Sequence, residues 1–142
     1  MSAPADLLPG ADRSSTCKVL VVDDNRMAAD MLALLLGVYG HEVRAAYDGQ
    51  AALEELSAWT PDVVLLDLLL PYMSGQEVAR VIRSRSELDE VRLIALTGYS
   101  WDDERVSGLI GFDGVLVKPA PPEEILAAVQ AWSRLEQAGR SR

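Results

Sequence analysis

The sequence predicts an α/β fold: a doubly wound (βα)5 chain whose five parallel strands form one sheet with helices on both faces. Three observations predict it. Five short apolar runs alternate with five stretches of helical period. Every connection between them is a short turn, which calls for right-handed crossovers and a parallel sheet. Four of the apolar runs finish in a polar residue, as strands do when their carboxyl ends share a working edge.

The organising stretch is Pro61–Gly75, PDVVLLDLLLPYMSG, an apolar run from Val63 to Leu70 broken only by Asp67. Such a run fits a central strand buried on both faces. A carboxylate inside it is costly unless the strand leaves the sheet at that point. Leu70-Pro71 and Gly75 end the strand just beyond it, so Asp67 is expected at the carboxyl end of a central strand. This run alone leaves open whether Asp67 carries chemistry or merely points into solvent.

The other elements follow in order. Residues 1–16 are rich in Ala, Pro, Ser and Gly without periodicity and are expected to form a disordered tail. Lys18–Asp23 is a β-branched strand ending in Asp23-Asp24. Asn25–Val38 is an amphipathic helix with Ala28, Met31, Leu32, Leu35 and Leu36 inward, closed by Tyr39-Gly40. His41–Ala46 is the second strand. Asp48-Gly49 opens a helix with Ala52, Leu53 and Leu56 inward, and Thr60-Pro61 stops it. Ser74-Gly-Gln-Glu77 is a capping box for a third helix carrying Val78, Val81 and Ile82. Ser84–Glu90 is a polar loop, and Arg92–Leu96 the fourth strand, ending at Thr97-Gly98. Ser100-Trp-Asp-Asp103 opens a fourth helix through Val106, Leu109 and Ile110. Val115–Val117 is the fifth strand, ending at Lys118-Pro119. Pro122, Glu123 and Glu124 start the last helix, which buries Ile125, Leu126, Val129 and Trp132. One domain over residues 17–135 results, with fraying beyond Leu135 and a C-terminal tail at 136–142.

Composition narrows the function classes. At 142 residues, 49% hydrophobic and 25% charged, the chain suits one soluble globular domain. A net charge of −9 argues against gripping a nucleic-acid backbone and is compatible with a divalent cation or a basic partner. No run approaches a membrane span, and the N-terminus lacks the basic and apolar regions of a signal peptide. The single cysteine, Cys17, permits no internal disulfide and fits a cytoplasmic protein, with Cys17 a small apolar residue at a strand start. His41, in the turn before the second strand, is expected to be structural.

Asp23-Asp24, Asp67, Thr97 and Lys118 all sit at strand carboxyl ends, so the fold can bring them together. Packed carboxylates repel one another unless a cation neutralises them. An all-oxygen set favours Mg2+ over a transition metal. A hydroxyl and an ammonium have no role in a bare metal site but fit around a phosphoryl group. Taken singly, each has a plainer reading. Asp23-Asp24 could cap a helix, Thr97 could be a turn residue, and Lys118 a solvated lysine.

The motifs LVVDD, LLDLLLPYMSG, ALTGY and VKP, in that order, resemble the receiver domain of two-component response regulators over residues 18–132, the single-domain chemotaxis-regulator form included. The resemblance implies a flavodoxin-like sheet and a phosphoacceptor, Asp67, charged by a phosphohistidine on a histidine kinase or histidine phosphotransfer protein. It implies Mg2+ held by Asp24 directly, Asp23 mainly through water, Asp67, and the backbone carbonyl of Leu69. It implies Thr97 and Lys118 on the phosphoryl oxygens and a cis Lys118–Pro119 bond. Output would pass by protein contacts to a downstream target, with no nucleic acid bound, no membrane insertion and no enzymatic turnover beyond self-catalysed phosphorylation and dephosphorylation.

Two departures stand out. Many receivers carry an aromatic three residues before the lysine, where this chain has Val115. The phosphorylated state is therefore expected to be read through Thr97 and the Gly98–Trp101 loop, with Tyr99, Trp101, Val115 and Pro119 as switch or interface candidates. Leu69 and Tyr99, two residues beyond Asp67 and Thr97, carry no acid or amide to orient an attacking water, which predicts slow self-dephosphorylation. Three alternatives remain: a receiver belonging to a longer hybrid kinase, a receiver-like scaffold that is never phosphorylated, and a Mg2+-dependent phosphohydrolase. The last is disfavoured by Asp-Asp-Asn in place of Asp-x-Asp on the first strand and by the lack of a cap insertion.

Overall fold

Alternation along the strands sorts the core into two layers on either side of one sheet. The computed structural model describes residues 16–98 and 110–140. Its strands are β1 (Lys18–Val22), β2 (Glu42–Ala46), β3 (Val63–Asp67), β4 (Arg92–Thr97) and β5 (Gly114–Val117). They pair in parallel in the order β2-β1-β3-β4-β5. The described helices are α1 (Arg26–Val38), α2 (Gly49–Ala58), α3 (Gly75–Ser84) and α4 (Pro122–Arg140). Leu20, Val22, Val64, Leu66 and Leu93 face α2 and α3, meeting Leu53, Leu56, Val78 and Ile82. Val19, Val21, Val63, Leu65 and Ile94 face the other way, onto Leu36 of α1 and Ile125, Leu126 and Val129 of α4. Both faces of β3 are thus covered, which is why its sequence is apolar without a break until Asp67. Truncating a side chain such as Leu65, fully buried here, would cost about 3 kcal/mol.

Local signals place the helix starts. Asn25 caps α1 through the Ala28 N–H (3.0 Å), and Asp48 caps α2 through the Ala51 N–H (2.7 Å). The capping box at Ser74 and Glu77 is formed at the start of α3. Because Asn25 supplies the cap of α1, Asp23 and Asp24 are left to other work.

Several expectations differ from the structure. The inward stripe of α1 is narrower than its periodicity predicts: Ala29 and Leu36 are buried, whereas Met31 is 62% exposed. Met31 lies about 200° around the helix from Ala29. The polar loop after α3 contains a 3-10 turn at Ser86–Leu88, anchored by buried Leu88. The helix expected to fray beyond Leu135 continues to Arg140. Leu135, Glu136, Gln137 and Ala138 are all good helix formers, so nothing there stops it. Ile110, expected on the buried face of a fourth helix, is exposed and outside regular structure, and the rest of that expected helix lies outside the described residues.

The amino-end edge of the sheet is fastened by polar groups that sequence reasoning did not single out. Asp113, just before β5, accepts from Arg83 Nη2 (2.9 Å) and from the Leu93 N–H (2.8 Å), with Arg92 Nη1 at 3.7 Å. Arg83 also donates to the Gly111 carbonyl through Nε (3.0 Å). At the same edge, buried His41 accepts the Cys17 N–H at Nδ1 (3.0 Å), a bond that only an unprotonated nitrogen makes. Burial lowers its pKa below the ordinary histidine value. His41 is structural, as expected.

Candidate functional site

The strand order reverses between β1 and β3, and the crevice at such a switch point is where open α/β sheets gather ligands. Asp23 follows β1 and Asp67 ends β3, so their carboxylates meet across it; both residues are buried. Lys118 follows β5 and reaches over β4 to both. Its Nζ lies 2.8 Å from Asp67 Oδ2 and 3.2 Å from Asp23 Oδ2. Asp24, exposed beside Asp23, completes a cluster in which one oxygen from each of the three acids lies within 4.8 Å of the others. The remaining oxygens are held by backbone: Asp67 Oδ1 accepts the Leu69 N–H (2.9 Å), and Asp23 Oδ1 accepts the Asn25 N–H (3.0 Å). Thr97, buried at the end of β4, neighbours the cluster, and its carbonyl accepts the Lys118 N–H (2.6 Å). The Lys118–Pro119 bond is cis.

Three acids face one ammonium, so the site is electrostatically incomplete. Burial raises the Asp67 pKa above the ordinary carboxyl value, and the nearby Asp23 charge adds to this; Lys118 and the Leu69 N–H oppose it. Burial works against the charge of Lys118, but its hydrogen bond to Asp67 and the charges of Asp67 and Asp23 outweigh burial and raise its pKa. Lys118 is therefore firmly cationic, and Asp67 carries a charge its surroundings only partly balance. A hard divalent cation suits this donor set: carboxylate oxygens already converged, one exposed to water, with no softer ligand among them.

The response regulator receiver domain family matches residues 19–130 of the chain. This chain belongs to that family. The response regulator MprA of Mycolicibacterium vanbaalenii is 39% identical over 118 residues, covering 82% of this chain and 50% of that protein. The chain spans about half the length of the curated relatives it matches. Chemotaxis response regulator CheY4 of Vibrio cholerae is 32% identical, with a TM-score of 0.77 over 82% of this chain and 98% of that one. The receiver domain of sensor histidine kinase PA1611 from Pseudomonas aeruginosa is 26% identical, with a TM-score of 0.75 over 84% and 98%; its structure has a magnesium ion coordinated in the active site cleft.

In this receiver the residues singled out from sequence divide into three groups. Asp23, Asp24, Asp67 and Lys118 are brought together, Leu69 is bonded to Asp67 through its N–H, and Thr97 ends the strand next to that of Asp67. Val115 is half-buried in β5, in register with Ala95, and Pro119 lines an apolar groove of about 640 Å3 with Leu32, Leu35 and Ile125. Tyr99 and Trp101 lie outside the described residues. No helix among the described residues is long and apolar enough to cross a membrane.

The loop leaving Asp67 is tightly fixed. The Gly75 N–H donates to the Leu68 carbonyl (3.1 Å), and a Cβ at Gly75 would come within 2.5 Å of the Asp67 carbonyl oxygen. Only glycine permits that approach, so Gly75 holds the start of α3 against the acceptor strand. Sequence reasoning read Gly75 as a strand stop and did not foresee this close approach, which depends on the fold bringing α3 against β3.

Proposed function

We propose that this receiver is a phosphoacceptor that takes a phosphoryl group onto Asp67 from a phosphohistidine of a sensor kinase or phosphotransfer protein. The observation that carries this reading is Lys118 Nζ bridging Asp67 and Asp23 inside a cluster of three carboxylates. An Asp67 oxygen forms the new O–P bond while the P–N bond to the donor imidazole breaks, and the imidazole leaves with that electron pair. Lys118 would take one phosphoryl oxygen and the Thr97 hydroxyl another, so the protein's task would be positioning and charge compensation. Asp24, Asp67, the Leu69 carbonyl and, through water, Asp23 would hold Mg2+. A bound Mg2+ would supply charge to offset that developing on the phosphoryl oxygens. Phosphorylation would replace the Asp67 carboxylate with a bulkier phosphoryl group of greater negative charge, and cytoplasmic protein partners would read that change without DNA contact from this domain.

A second reading keeps the same chemistry within a longer protein. It is favoured by the half-length coverage of the curated relatives and by likeness to a sensor kinase's own receiver. In either setting, Leu69 offers no group to orient water, so the aspartyl phosphate should outlast many seconds in Mg2+ buffer; loss of label within seconds would contradict this. The direct test is intact mass after incubation with acetyl phosphate. One phosphoryl group should add with Mg2+ and none with EDTA. No adduct at saturating Mg2+ would overturn the phosphoacceptor reading in favour of a scaffold.

A further inference from the structure

Helix α1 is apolar on two opposite faces. Ala29 and Leu36 on its inner face are buried in the core. On the outer face Met27, Met31, Leu34 and Val38 are 76%, 62%, 65% and 38% exposed. Their spacings of four, three and four residues gather them into a strip about 60° wide, roughly 180° around the helix from Ala29 and Leu36. The outer face of a surface helix ordinarily carries charged and polar side chains. The only charged residues of α1 are Arg26 and Asp30, and both turn aside to Tyr47. Arg26 lies over the Tyr47 ring at 4.1 Å, and Asp30 accepts the Tyr47 hydroxyl (2.6 Å). The strip is left bare, and contiguous apolar surface of this kind marks an interaction site.

Three features of the strip fit a second copy of this chain. Alternating steps of three and four residues form the seam by which one helix packs along another, so the occupant is a helix. The spacing also reads the same from either end. A two-fold axis level with the midpoint between residues 31 and 34 sets Met27 against Val38 and Met31 against Leu34, so every member of the strip is buried by the same strip on the copy. Charge agrees. Two chains of net charge −9 repel each other, but the strip holds no charge and Arg26 and Asp30 beside it cancel. A basic partner would find no acid in the strip to recognise. Direction follows from the acidic site, because Asp23 and Asp24 stand just before α1. Parallel pairing would bring two such clusters together. Antiparallel pairing sets them a helix length apart, about 20 Å, well beyond the screening length of about 8 Å in physiological salt.

We propose that this chain self-associates through α1 as an antiparallel dimer, the Met27, Met31, Leu34 and Val38 strips of two copies packing against each other. Four side chains from each copy are far fewer than the roughly 20–30 residues a side of a stable complex, so the dimer is weak and concentration-dependent. It needs neither Mg2+ nor a phosphoryl group.

The test is sedimentation equilibrium of the full chain in EDTA without a phosphodonor, so its outcome is independent of the phosphoacceptor reading. Wild type should be monomeric at about 5 μM and mostly dimeric at about 1 mM, a dissociation constant on the order of 100 μM. Leu34→Glu should raise that constant at least about tenfold, as a charge in the centre of an apolar interface does. Its thermal midpoint at about 5 μM should stay within about 2 °C of wild type, because Leu34 is exposed in the monomer. Direction is read by oxidising an equimolar mixture of Met27→Cys and Val38→Cys chains, each also carrying Cys17→Ser. The mixed disulfide should predominate. A wild type still monomeric at 1 mM overturns the proposal and leaves the strip to residues 1–15 or to a helix of another protein. Leu34→Glu dimerising as wild type does overturns it as well. Like-with-like disulfides equal to or exceeding the mixed one overturn the antiparallel arrangement.

Discussion

The two edges of the sheet each hold a cluster of ionised side chains, and they are built in opposite ways. At the amino edge one carboxylate, Asp113, meets two arginines and a backbone N–H, and Arg83 spends a further donor on the Gly111 carbonyl. The Asp113 carboxylate there finds its charge partners and hydrogen-bond donors within the chain. At the carboxyl edge three carboxylates converge on one lysine, and the surplus is negative. A satisfied cluster stabilises; an unsatisfied one costs stability and attracts whatever completes it. The difference locates function by what the fold leaves uncompensated.

The largest effect that sharpens this contrast is expected from Asp113→Ala. It removes the acceptor of the Leu93 N–H and one of the acceptors of Arg83 in a partly buried setting and should cost about 2 kcal/mol in urea unfolding, with β4 and β5 losing their shared anchor. A loss below about 0.5 kcal/mol, the level of an ordinary surface change, would remove the structural half of the comparison.

At the opposite edge the completing ion should be measurable as stability. Mg2+ at ten times its dissociation constant should stabilise the wild type by about 1.4 kcal/mol, and Asp24→Asn should lose most of that gain at the same concentration. Equal stabilisation of both proteins would mean that the ion sits elsewhere.

A smaller effect has the opposite sign from a usual buried-charge deletion. Because the Asp67 pKa is raised, the fold favours its protonated form, and ionisation at neutral pH destabilises the native state. That penalty appears as pH rises from the ordinary carboxyl value through the raised one. Asp67→Asn should therefore be as stable as wild type without Mg2+, or slightly more so. A clear loss in a denaturant titration would show Asp67 to be a structural charge like Asp113.

The smallest effect belongs to His41 at the amino edge. Its folded pKa is lowered by burial, so as pH falls below 6.5 the unfolded chain takes up a proton that the native state resists. Stability should fall from pH 6.5 towards the lowered value and be fully present above 6.5, a slope that His41→Gln should flatten. A slope unchanged in that variant would place the titration in another group.

Most of the carboxyl edge was legible in the sequence, because each functional group terminates an apolar run and strand termini are easily seen. Asp23, Asp67, Thr97 and Lys118 are marked by polarity interrupting hydrophobicity. The amino edge was not legible. Asp113 and Arg83 lie thirty residues apart, in a turn and on a helix, and nothing local ties one acid among many to two arginines. The exposed face of α1 was misjudged for a related reason: periodicity reports which residues are apolar, whereas neighbouring elements decide which are covered.

The comparison stands or falls on a paired intact-mass experiment: Asp67→Asn and Asp113→Ala, each treated with acetyl phosphate and Mg2+ at a temperature where both are folded. The predicted result is one phosphoryl group on the less stable Asp113→Ala and none on the stable Asp67→Asn. An adduct on Asp67→Asn, or none on folded Asp113→Ala, would contradict the assignment of function to one edge and of stability to the other.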